Sequence, residues 1–453
     1  MNVHFIAIGG AAMHNLAIAL HLKGYNVTGS DDEIFDPAKS RLAKYGLLPK
    51  EEGWHPERIT DNLDAIVLGM HARADNPELL KAQELGLRIY SYPEYLYEQS
   101  KDKTRVVIGG SHGKTTTTAM ILHALAHAGI EADYMVGAQL EGFEVMVRLS
   151  ETAKVMVIEG DEYLTSPIDR RPKFHVYLPN IAVVTGIEWD HVNVFPTFDI
   201  YKDQFAQFMN LIRPEGTLIY CADDAVVREV AEANKRTDIV KLPYDVPQYE
   251  VKDGVTSLIG GNGERTPLKV FGRHNLLNMT AARLVCRTLG VSDEVFNEAI
   301  STFGGASKRL ELVKKNDRCA VYKDFAHAPS KLRATIHAMR EQYPERKLVA
   351  CMELHTFSSL TQDFLKQYHG TMDEADIRFV YYSKHALQLK KLPDLDPSQV
   401  QAAFGDGVQV FTDSNVMVAE LKKMQWNDAN LLMMSSGNFD GIGFNKLAEE
   451  ILF

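Results

Sequence analysis

A glycine-rich stretch that ends in a lysine and two threonines is the part of the sequence best suited to chemistry. It reads Gly110-Ser111-His112-Gly113-Lys114-Thr115-Thr116, follows the β-branched run 106–108 and precedes an apolar-periodic segment from Ala119. A strand, a glycine-rich turn and a helix N-terminus in this order bind phosphate through backbone N–H groups and the helix dipole. A lysine then reaches the terminal phosphates, and a threonine hydroxyl ligates Mg²⁺. The sequence predicts a site for ATP and Mg²⁺, and an ordinary strand-to-helix turn is the alternative.

Two further polar groups follow strands that we expect beside this turn. An apolar run, 154–158, ends in Glu159-Gly160-Asp161-Glu162, and another, 181–185, leads to Glu188-Trp189-Asp190-His191. A strand beside a phosphate loop commonly supplies a Mg²⁺ ligand. Plain surface charge and a structural histidine are the alternatives. The pattern makes Glu159 and His191 candidate metal ligands.

The beginning of the chain contains a second, weaker nucleotide-binding pattern. A strand leads to Gly9 and Gly10, a helical pattern follows, and Asp31 stands where a dinucleotide-binding fold places its ribose-binding carboxylate. Two alanines replace glycines of the usual fingerprint, so a purely structural turn is an equal alternative. His71 follows a later strand of the same unit, where α/β sheets bind ligands, although a solvated loop would look the same.

The elements that must position these groups alternate between strands and helices, which predicts an α/β fold with parallel sheets. A chain of 453 residues exceeds what one core usually serves. We predict three domains: residues 1–103, residues 104–303 with the phosphate loop at their start, and residues 304–453.

Composition excludes several classes of partner. The chain has 49 Lys and Arg against 60 Asp and Glu, a net charge of −11, which does not favour nucleic acid or an anionic membrane. No apolar run approaches the roughly 18 residues of a membrane span. The N-terminus carries no basic leader, and the four cysteines lie far apart without metal-binding spacing. We expect a cytoplasmic protein with reduced thiols.

In their order along the chain, the motifs resemble those of the Mur ligases, the ATP-dependent amide-forming enzymes of peptidoglycan synthesis. The resemblance covers essentially the whole length. It rests on the phosphate loop and on these further motifs: Glu159, His191, His274-Asn275 with Asn278, Lys308-Arg309-Leu310-Glu311 and Asp324-Phe325-Ala326-His327-Ala328-Pro329.

The resemblance implies a Rossmann-like N-terminal domain, a central phosphate-loop ATPase domain and a Rossmann-like C-terminal domain. It implies that a carboxylate attacks the γ-phosphate of ATP and that an amine then displaces phosphate from the acyl phosphate. Lys114, Glu159 and His191 would be catalytic, and Thr115, Glu159 and His191 would hold Mg²⁺. The nucleotide would contact Gly110, Ser111, His112, Gly113, Lys114, Thr115, Thr116, Asn275, Asn278, Arg309, Asp324 and His327. Asp324 could equally cap a strand end.

The same resemblance places UDP-N-acetylmuramate on Gly9, Gly10, Asp31 and His71. The incoming cell-wall peptide would meet His355, Ser359, Ser435 and Asn438. Two departures stand out: His355-Thr356 lacks the arginine of many relatives, and Gly186 replaces a common asparagine. Some relatives carbamylate a lysine in the central domain, but Lys202 lacks the usual spacing.

The C-terminal segment 434–442 is most similar to family members that attach a recycled tripeptide, L-Ala-γ-D-Glu-meso-diaminopimelate, to UDP-N-acetylmuramate. We therefore predict this peptidoglycan-recycling activity. Addition of L-alanine to UDP-N-acetylmuramate is the alternative within the family. Outside it, an NAD-dependent dehydrogenase or a non-catalytic ATP-binding module remains open.

Overall fold

A computed structural model describes residues 1–137, 143, 145–189, 191, 194–261, 263–306 and 309–452 of the chain. The chain forms two compact units. Unit 1 comprises Met1–Val246 and Leu277–Ile300, and unit 2 comprises Pro247–Leu276 and Ser301–Phe453. None of the helices in the described ranges combines the length and hydrophobicity that a membrane crossing needs.

Unit 1 begins with a parallel sheet of strand order β2-β1-β3-β4. Its strands are β1 (Asn2–Ile6), β2 (Asn26–Ser30), β3 (Ala65–Leu68) and β4 (Ile89–Ser91), and its helices are α1 (Ala11–Leu22), α2 (Ala38–Lys44), α3 (Pro77–Glu84) and α4 (Tyr92–Ser100), with a 3₁₀ turn at Pro56–Arg58. The chain leaves β1 for β2 on one side and returns to β3 on the other. Such a reversal opens a crevice at the carboxyl ends of β1 and β3, where α/β sheets bind ligands.

The second sheet of unit 1 has the order β11-β10-β9-β5-β8-β6-β7 and is parallel except for the β6–β7 pair. Its strands are β5 (Thr104–Gly109), β6 (Ala132–Met135), β7 (Val147–Arg148), β8 (Val155–Glu159), β9 (Ile181–Val184), β10 (Thr217–Cys221) and β11 (Val240–Tyr244). The helices are α5 (Lys114–His127), α6 (Lys173–Val176), α7 (Phe198–Asn210) and α8 (Ala225–Ala233). Both neighbours of β5 are parallel to it, so the ends of β8 and β9 lie beside the turn that follows β5.

Unit 2 contains an antiparallel sheet of β12 (Tyr249–Lys252), β13 (Val255–Ile259) and β14 (Arg265–Pro267). The sequence analysis did not predict it, because these short strands are only partly buried and lack clear alternation. Helix α9 (Arg273–Thr288) follows and continues into unit 1, where α10 (Asp293–Thr302) begins.

The main sheet of unit 2 has the order β15-β16-β20-β17-β18-β19 and is parallel except for β15. Its strands are β15 (Glu311–Lys315), β16 (Ala320–Asp324), β17 (Lys347–Leu354), β18 (Ile377–Tyr382), β19 (Val408–Phe411) and β20 (Ala429–Met434). Its helices are α11 (Pro329–Gln342), α12 (Gln362–Leu365), α13 (Lys384–Leu389), α14 (Pro397–Phe404), α15 (Ser414–Lys423) and α16 (Phe444–Leu452), with 3₁₀ turns at Ser358–Leu360 and Lys366–Tyr368.

Side chains of this sheet alternate between two cores. Ala350 and Met352 of β17 face one cluster, whereas Val349 and Cys351 face the other. Strands that are buried on both faces form near-continuous apolar runs, as β17 does. The predicted α/β class with mainly parallel sheets is confirmed, and the boundaries of the three predicted domains stay a prediction.

Candidate active site

The turn between β5 and α5 depends on two glycines. Gly110 has a φ of 142° and Gly113 a φ of 78°, values that other residues rarely adopt. A Cβ on Gly110 would overlap Thr185 Oγ1, and one on Gly113 would overlap Asn278 Oδ1. The structure therefore forms the tight turn that the sequence predicted, and α5 begins directly after it at Lys114.

Ser111 and His112 attach this turn to the segment that follows β9. The N–H of Ser111 donates to Gly186 O at 3.0 Å, and its hydroxyl accepts from Glu188 N at 2.7 Å. The imidazole of His112 lies so close to Gly186 that a Cβ at position 186 would overlap the ring. Glycine instead of asparagine at this position is what makes room for His112.

Lys114 forms an ion pair with Glu162, with 2.8 Å between Nζ and Oε2. Tyr201 OH donates to the other oxygen of Glu162 at 3.1 Å. Burial lowers the pKa of Lys114, but the carboxylates of Glu162 and Asp161 outweigh burial and raise its pKa overall. The ammonium group at the start of α5 therefore keeps its charge.

Glu159, the last residue of β8, has both carboxylate oxygens engaged. Thr115 Oγ1 donates to Oε1 and Gly137 N donates to Oε2, each at 2.8 Å. Because β8 is the direct neighbour of β5, its last residue faces the first turn of α5. Thr116, the next residue of α5, is buried as well.

Three side chains form a candidate metal site near Lys114. Asp161, Glu162 and His191 each offer a ligand atom, and these atoms lie within 4.8 Å of one another. His191 has a φ of 53°, and its ring meets Tyr163 edge-on with 5.3 Å between centroids. Two carboxylates and an imidazole are ligands that suit a divalent cation.

The predicted metal ligands thus fall into two neighbouring groups. Thr115 bonds to Glu159, whereas His191 lies with Asp161 and Glu162. The sequence did not single out Asp161 and Glu162, although they stand in the same acidic run as Glu159. The sequence shows that acidic residues follow β8, but it does not show which of their side chains faces the glycine-rich turn after β5. The predicted metal set stays a prediction, and Asp190 lies outside the described residues.

The two predicted asparagines of α9 have different surroundings. In unit 1, Asn278 lies against Gly113 of the glycine-rich turn. In unit 2, Asn275 Nδ2 donates to Phe271 O at 2.9 Å, and the side chain is buried.

Among the nucleotide-binding residues predicted for unit 2, Asp324 ends β16. Its two oxygens accept from Leu310 N and Ala326 N, each at 2.6 Å. These are the bonds of a strand-end cap, the alternative role for this residue, and the nucleotide contact stays a prediction. Lys308 of the same motif group lies outside the described residues.

Arg309 and His327 flank one aromatic ring. The guanidinium of Arg309 lies 4.6 Å from the Phe325 ring centroid, and His327 meets the same ring edge-on at 5.2 Å. The structure therefore brings these two predicted residues together at the end of β16.

The predicted sugar-nucleotide residues of unit 1 lie at the carboxyl end of β1. Gly9 N donates to Asp31 Oδ2 at 2.7 Å, and Gly10 caps the start of α1. Burial raises the pKa of Asp31 to about 6, although the Gly9 N–H opposes this effect. His71 is exposed in the loop after β3.

The predicted contacts for the incoming amine lie at the carboxyl ends of β17 and β20. Glu353, which the sequence analysis did not single out, accepts from the Ser435 hydroxyl and from Phe439 N, the latter at 2.8 Å. His355 Nδ1 lies 3.6 Å from the other Glu353 oxygen.

Two more residues predicted for this edge differ in exposure. Asn438 is exposed, whereas Ser359 is fully buried and its hydroxyl donates to Thr356 O at 3.0 Å. A contact between substrate and Ser359 stays a prediction.

Comparisons with known proteins identify family domains in three successive parts of the chain. Residues 2–104 match the Mur ligase family catalytic domain, residues 108–286 the Mur ligase middle domain, and residues 308–437 the Mur ligase glutamate ligase domain. The chain is 34% identical over 389 residues to a UDP-N-acetylmuramate–L-alanine ligase of Arthrobacter sp., covering 83% of this chain and 80% of that protein. It is 28% identical over 460 residues to the enzyme of that name from Carboxydothermus hydrogenoformans, covering 99% and 96%.

Among solved structures, the chain is similar to the UDP-N-acetylmuramate:L-alanyl-γ-D-glutamyl-meso-diaminopimelate ligase of Neisseria meningitides. The identity is 26% and the TM-score 0.60, with 67% of this chain and 98% of that chain covered. The three family domains confirm the predicted three-part architecture. The chain belongs to the Mur ligase family of ATP-dependent, Mg²⁺-using amide ligases.

Proposed function

We propose that this chain joins the carboxylate of UDP-N-acetylmuramate to an amine. A carboxylate oxygen attacks the γ-phosphorus of ATP, ADP leaves, and an acyl phosphate forms. The amine nitrogen then attacks the acyl carbon, phosphate leaves, and the nitrogen loses a proton as the amide forms. The observation that carries this proposal is the glycine-rich turn with charged Lys114 beside Glu162, Asp161 and His191.

In this reaction the Lys114 ammonium reduces the repulsion between two anions that must meet, and a bound Mg²⁺ would add to this effect. The carboxylates of Asp161 and Glu162 would hold Mg²⁺ with His191 beside them, and Thr115 with Glu159 is a second group next to the same turn. Mg²⁺ supplies charge neutralisation on the transferring phosphoryl group. The chain's own residues position the reactants, which is the main protein contribution to phosphoryl transfer.

L-Alanine is the first candidate for the amine. The curated relatives described above carry this activity in their names, and one matches over nearly the full length of both chains. This support is stronger than the support for the tripeptide that the sequence analysis favoured.

The tripeptide is the second candidate, and one feature of unit 2 favours it. A cavity of about 430 Å³ lies at the carboxyl ends of β18 and β19, next to the segment 435–442. Its lining includes the ammonium group of Lys384 and the carboxylates of Asp413 and Asp440, so groups of both charges border the cavity. Such a cavity suits an amine substrate longer than alanine that bears both ammonium and carboxylate groups.

The test is phosphate release from ATP with UDP-N-acetylmuramate and either L-alanine or the tripeptide. Turnover with alanine alone supports the first candidate, and turnover with tripeptide alone supports the second. The Lys114→Ala variant should lose at least about a hundredfold in activity, since it removes a preorganised charge. Lys101→Ala, an exposed lysine of the same unit, is the matched control. Phosphate release that needs neither amine, or an active Lys114→Ala variant, would contradict the proposal.

A further inference from the structure

Asn15 is a fully buried amide in the second turn of α1, and both its ends are bonded. Its Oδ1 accepts from Met146 N at 3.1 Å and from Arg41 Nη1 at 3.2 Å. Both partners can only donate, so the carbonyl oxygen must face them. The NH₂ group donates to Ala11 O at 2.8 Å and also lies 3.5 Å from Met146 Sδ.

The orientation of Asn15 determines the tautomer of His14. The Asn15 NH₂ group lies 2.9 Å from His14 Nε2, which must therefore accept. The ring proton is then on Nδ1, which donates to Gly10 O at 2.9 Å. Burial is the main effect that lowers the pKa of His14, in keeping with a neutral ring. Met146 is thus linked through two side chains to the turn at Gly9 and Gly10.

From Met146 the bonded path continues toward the phosphate loop. Met146 O accepts from Val136 N at 2.9 Å. The next residue, Gly137, donates to Glu159, which accepts from the Thr115 hydroxyl. Every residue of this path belongs to unit 1 and to the described ranges.

An apolar residue would suit position 15 better if packing were its only task. Asparagine is a weak helix former, and a buried amide costs free energy unless all its groups are bonded. The surrounding residues of α1, Leu16, Ala17 and Ile18, are fully buried apolar side chains. A bonded amide in this position gives orientation at the expense of stability.

We propose that Asn15 is a positioning residue that couples the sugar-nucleotide turn at Gly9 and Gly10 to the phosphate loop at Thr115. The identity of the sugar nucleotide rests on the proposed function, whereas the bonded path does not. Each ligand bound at one end then changes the affinity at the other end by the same factor, because coupling is reciprocal.

Calorimetric titration of the full chain measures this factor. In the wild type, Mg²⁺ with a non-hydrolysable ATP analogue should change the Kd of UDP-N-acetylmuramate by about fivefold or more. In Asn15→Ala the ratio of the two Kd values should fall to near one. The control is Lys23→Met, which removes a different link between the end of α1 and the chain beyond β7, the 2.9 Å ion pair of Lys23 with Glu151. It should keep the wild-type ratio.

A second measurement needs no sugar nucleotide. In protein labelled with ¹³C-histidine, the His14 ring signal, identified by its loss in His14→Gln, should shift when Mg²⁺ and the ATP analogue bind. The shift should vanish in Asn15→Ala. Asn15→Asp, which keeps the acceptor for Met146 but removes the donor to His14, should also lose it and should raise the pKa of His14.

The outcomes are distinct. A wild type whose two ligands bind independently, an Asn15→Ala variant with wild-type coupling, or a His14 signal that ignores the nucleotide would each overturn the inference. A wild type that binds the nucleotide and shifts the His14 signal, but does not bind UDP-N-acetylmuramate, would instead overturn the proposed substrate and support the path.

Discussion

Asp31 is a buried carboxyl group beside the turn at Gly9, and its negative charge comes at a cost in stability. Its ionised form loses contact with water, and the N–H groups of Gly9 and Asp32 replace only part of that hydration. The pKa of Asp31 is therefore raised to about 6, chiefly by burial. Above that pH the folded chain holds a negative charge beside the turn after β1, which suits the proposed contact with ribose hydroxyl groups.

The raised pKa predicts a pH-dependent effect of Asp31→Asn. The folded state binds the proton more tightly than the unfolded state, so this group stabilises the fold at low pH, and that contribution is lost as the pH rises through about 6. At pH 8 the variant should gain about 1 kcal/mol in free energy of unfolding, the full shift being reduced by solvent screening. The gain should shrink toward pH 4.

Urea denaturation at both pH values measures this gain. The KM for UDP-N-acetylmuramate should rise in the same variant because Asp31→Asn removes the negative charge and one of the two acceptor oxygens. A gain in stability that is equal at both pH values would contradict the assigned cause.

At the scale of elements, Glu353 shows how the main sheet of unit 2 forms its edge. Strands β16, β20 and β17 are neighbours, so their carboxyl ends place Asp324, Ser435 and Glu353 side by side. Ser435 N donates to Asp324 O at 2.9 Å, and Glu353 binds the Ser435 hydroxyl and Phe439 N. This buried carboxylate therefore fixes the segment after β20.

Replacement of Glu353 by alanine should disturb that segment. One Glu353 oxygen accepts from both the Ser435 hydroxyl and Phe439 N, so alanine leaves both buried donors without this partner. We expect a loss of about 1–3 kcal/mol in free energy of unfolding. The KM for the amine substrate should rise while the KM for ATP stays unchanged. Steady-state kinetics and denaturant titration check both, with exposed Glu345→Ala as the control. An unchanged amine KM would remove Glu353 from the site.

At the scale of the whole molecule, ligand binding should increase the free energy of unfolding. A ligand that binds the folded chain stabilises it by about 2.7 kcal/mol at a hundred times its Kd. We expect the ATP analogue to raise the Tm with Mg²⁺ present and to lose most of this effect when EDTA removes the metal. Calorimetry or fluorescence-monitored melting measures the shift.

The variant Glu162→Gln tests which residues hold the metal. It should reduce the Mg²⁺-dependent shift in Tm, whereas Glu84→Gln, whose carboxylate is 68% exposed in the same unit, should not. A full Mg²⁺-dependent shift in Tm in Glu162→Gln, together with loss of the shift in Glu159→Gln, would instead support the ligand set predicted from the sequence, which includes Glu159.

Much of the architecture follows from the sequence alone. Alternating apolar runs and helical patterns predicted mainly parallel sheets, because a parallel connection needs a crossover helix. The types of the motifs and their order from Gly110 to Asp324 indicated the Mur ligase family. The partly buried strands β12, β13 and β14 gave no such pattern and were missed.

What the sequence by itself determined is the set of chemical groups and the strand ends that carry them. Only the tertiary structure decided which carboxylate faces Lys114, because the backbone beyond a strand end sets the direction of each side chain. The acidic run at 159–162 contains Glu159 and Glu162, and the structure pairs the second with the lysine. Likewise, Asn15 and Met146 are 131 positions apart and meet only after folding. Contacts of that kind depend on how sheets and helices pack, which local patterns do not encode.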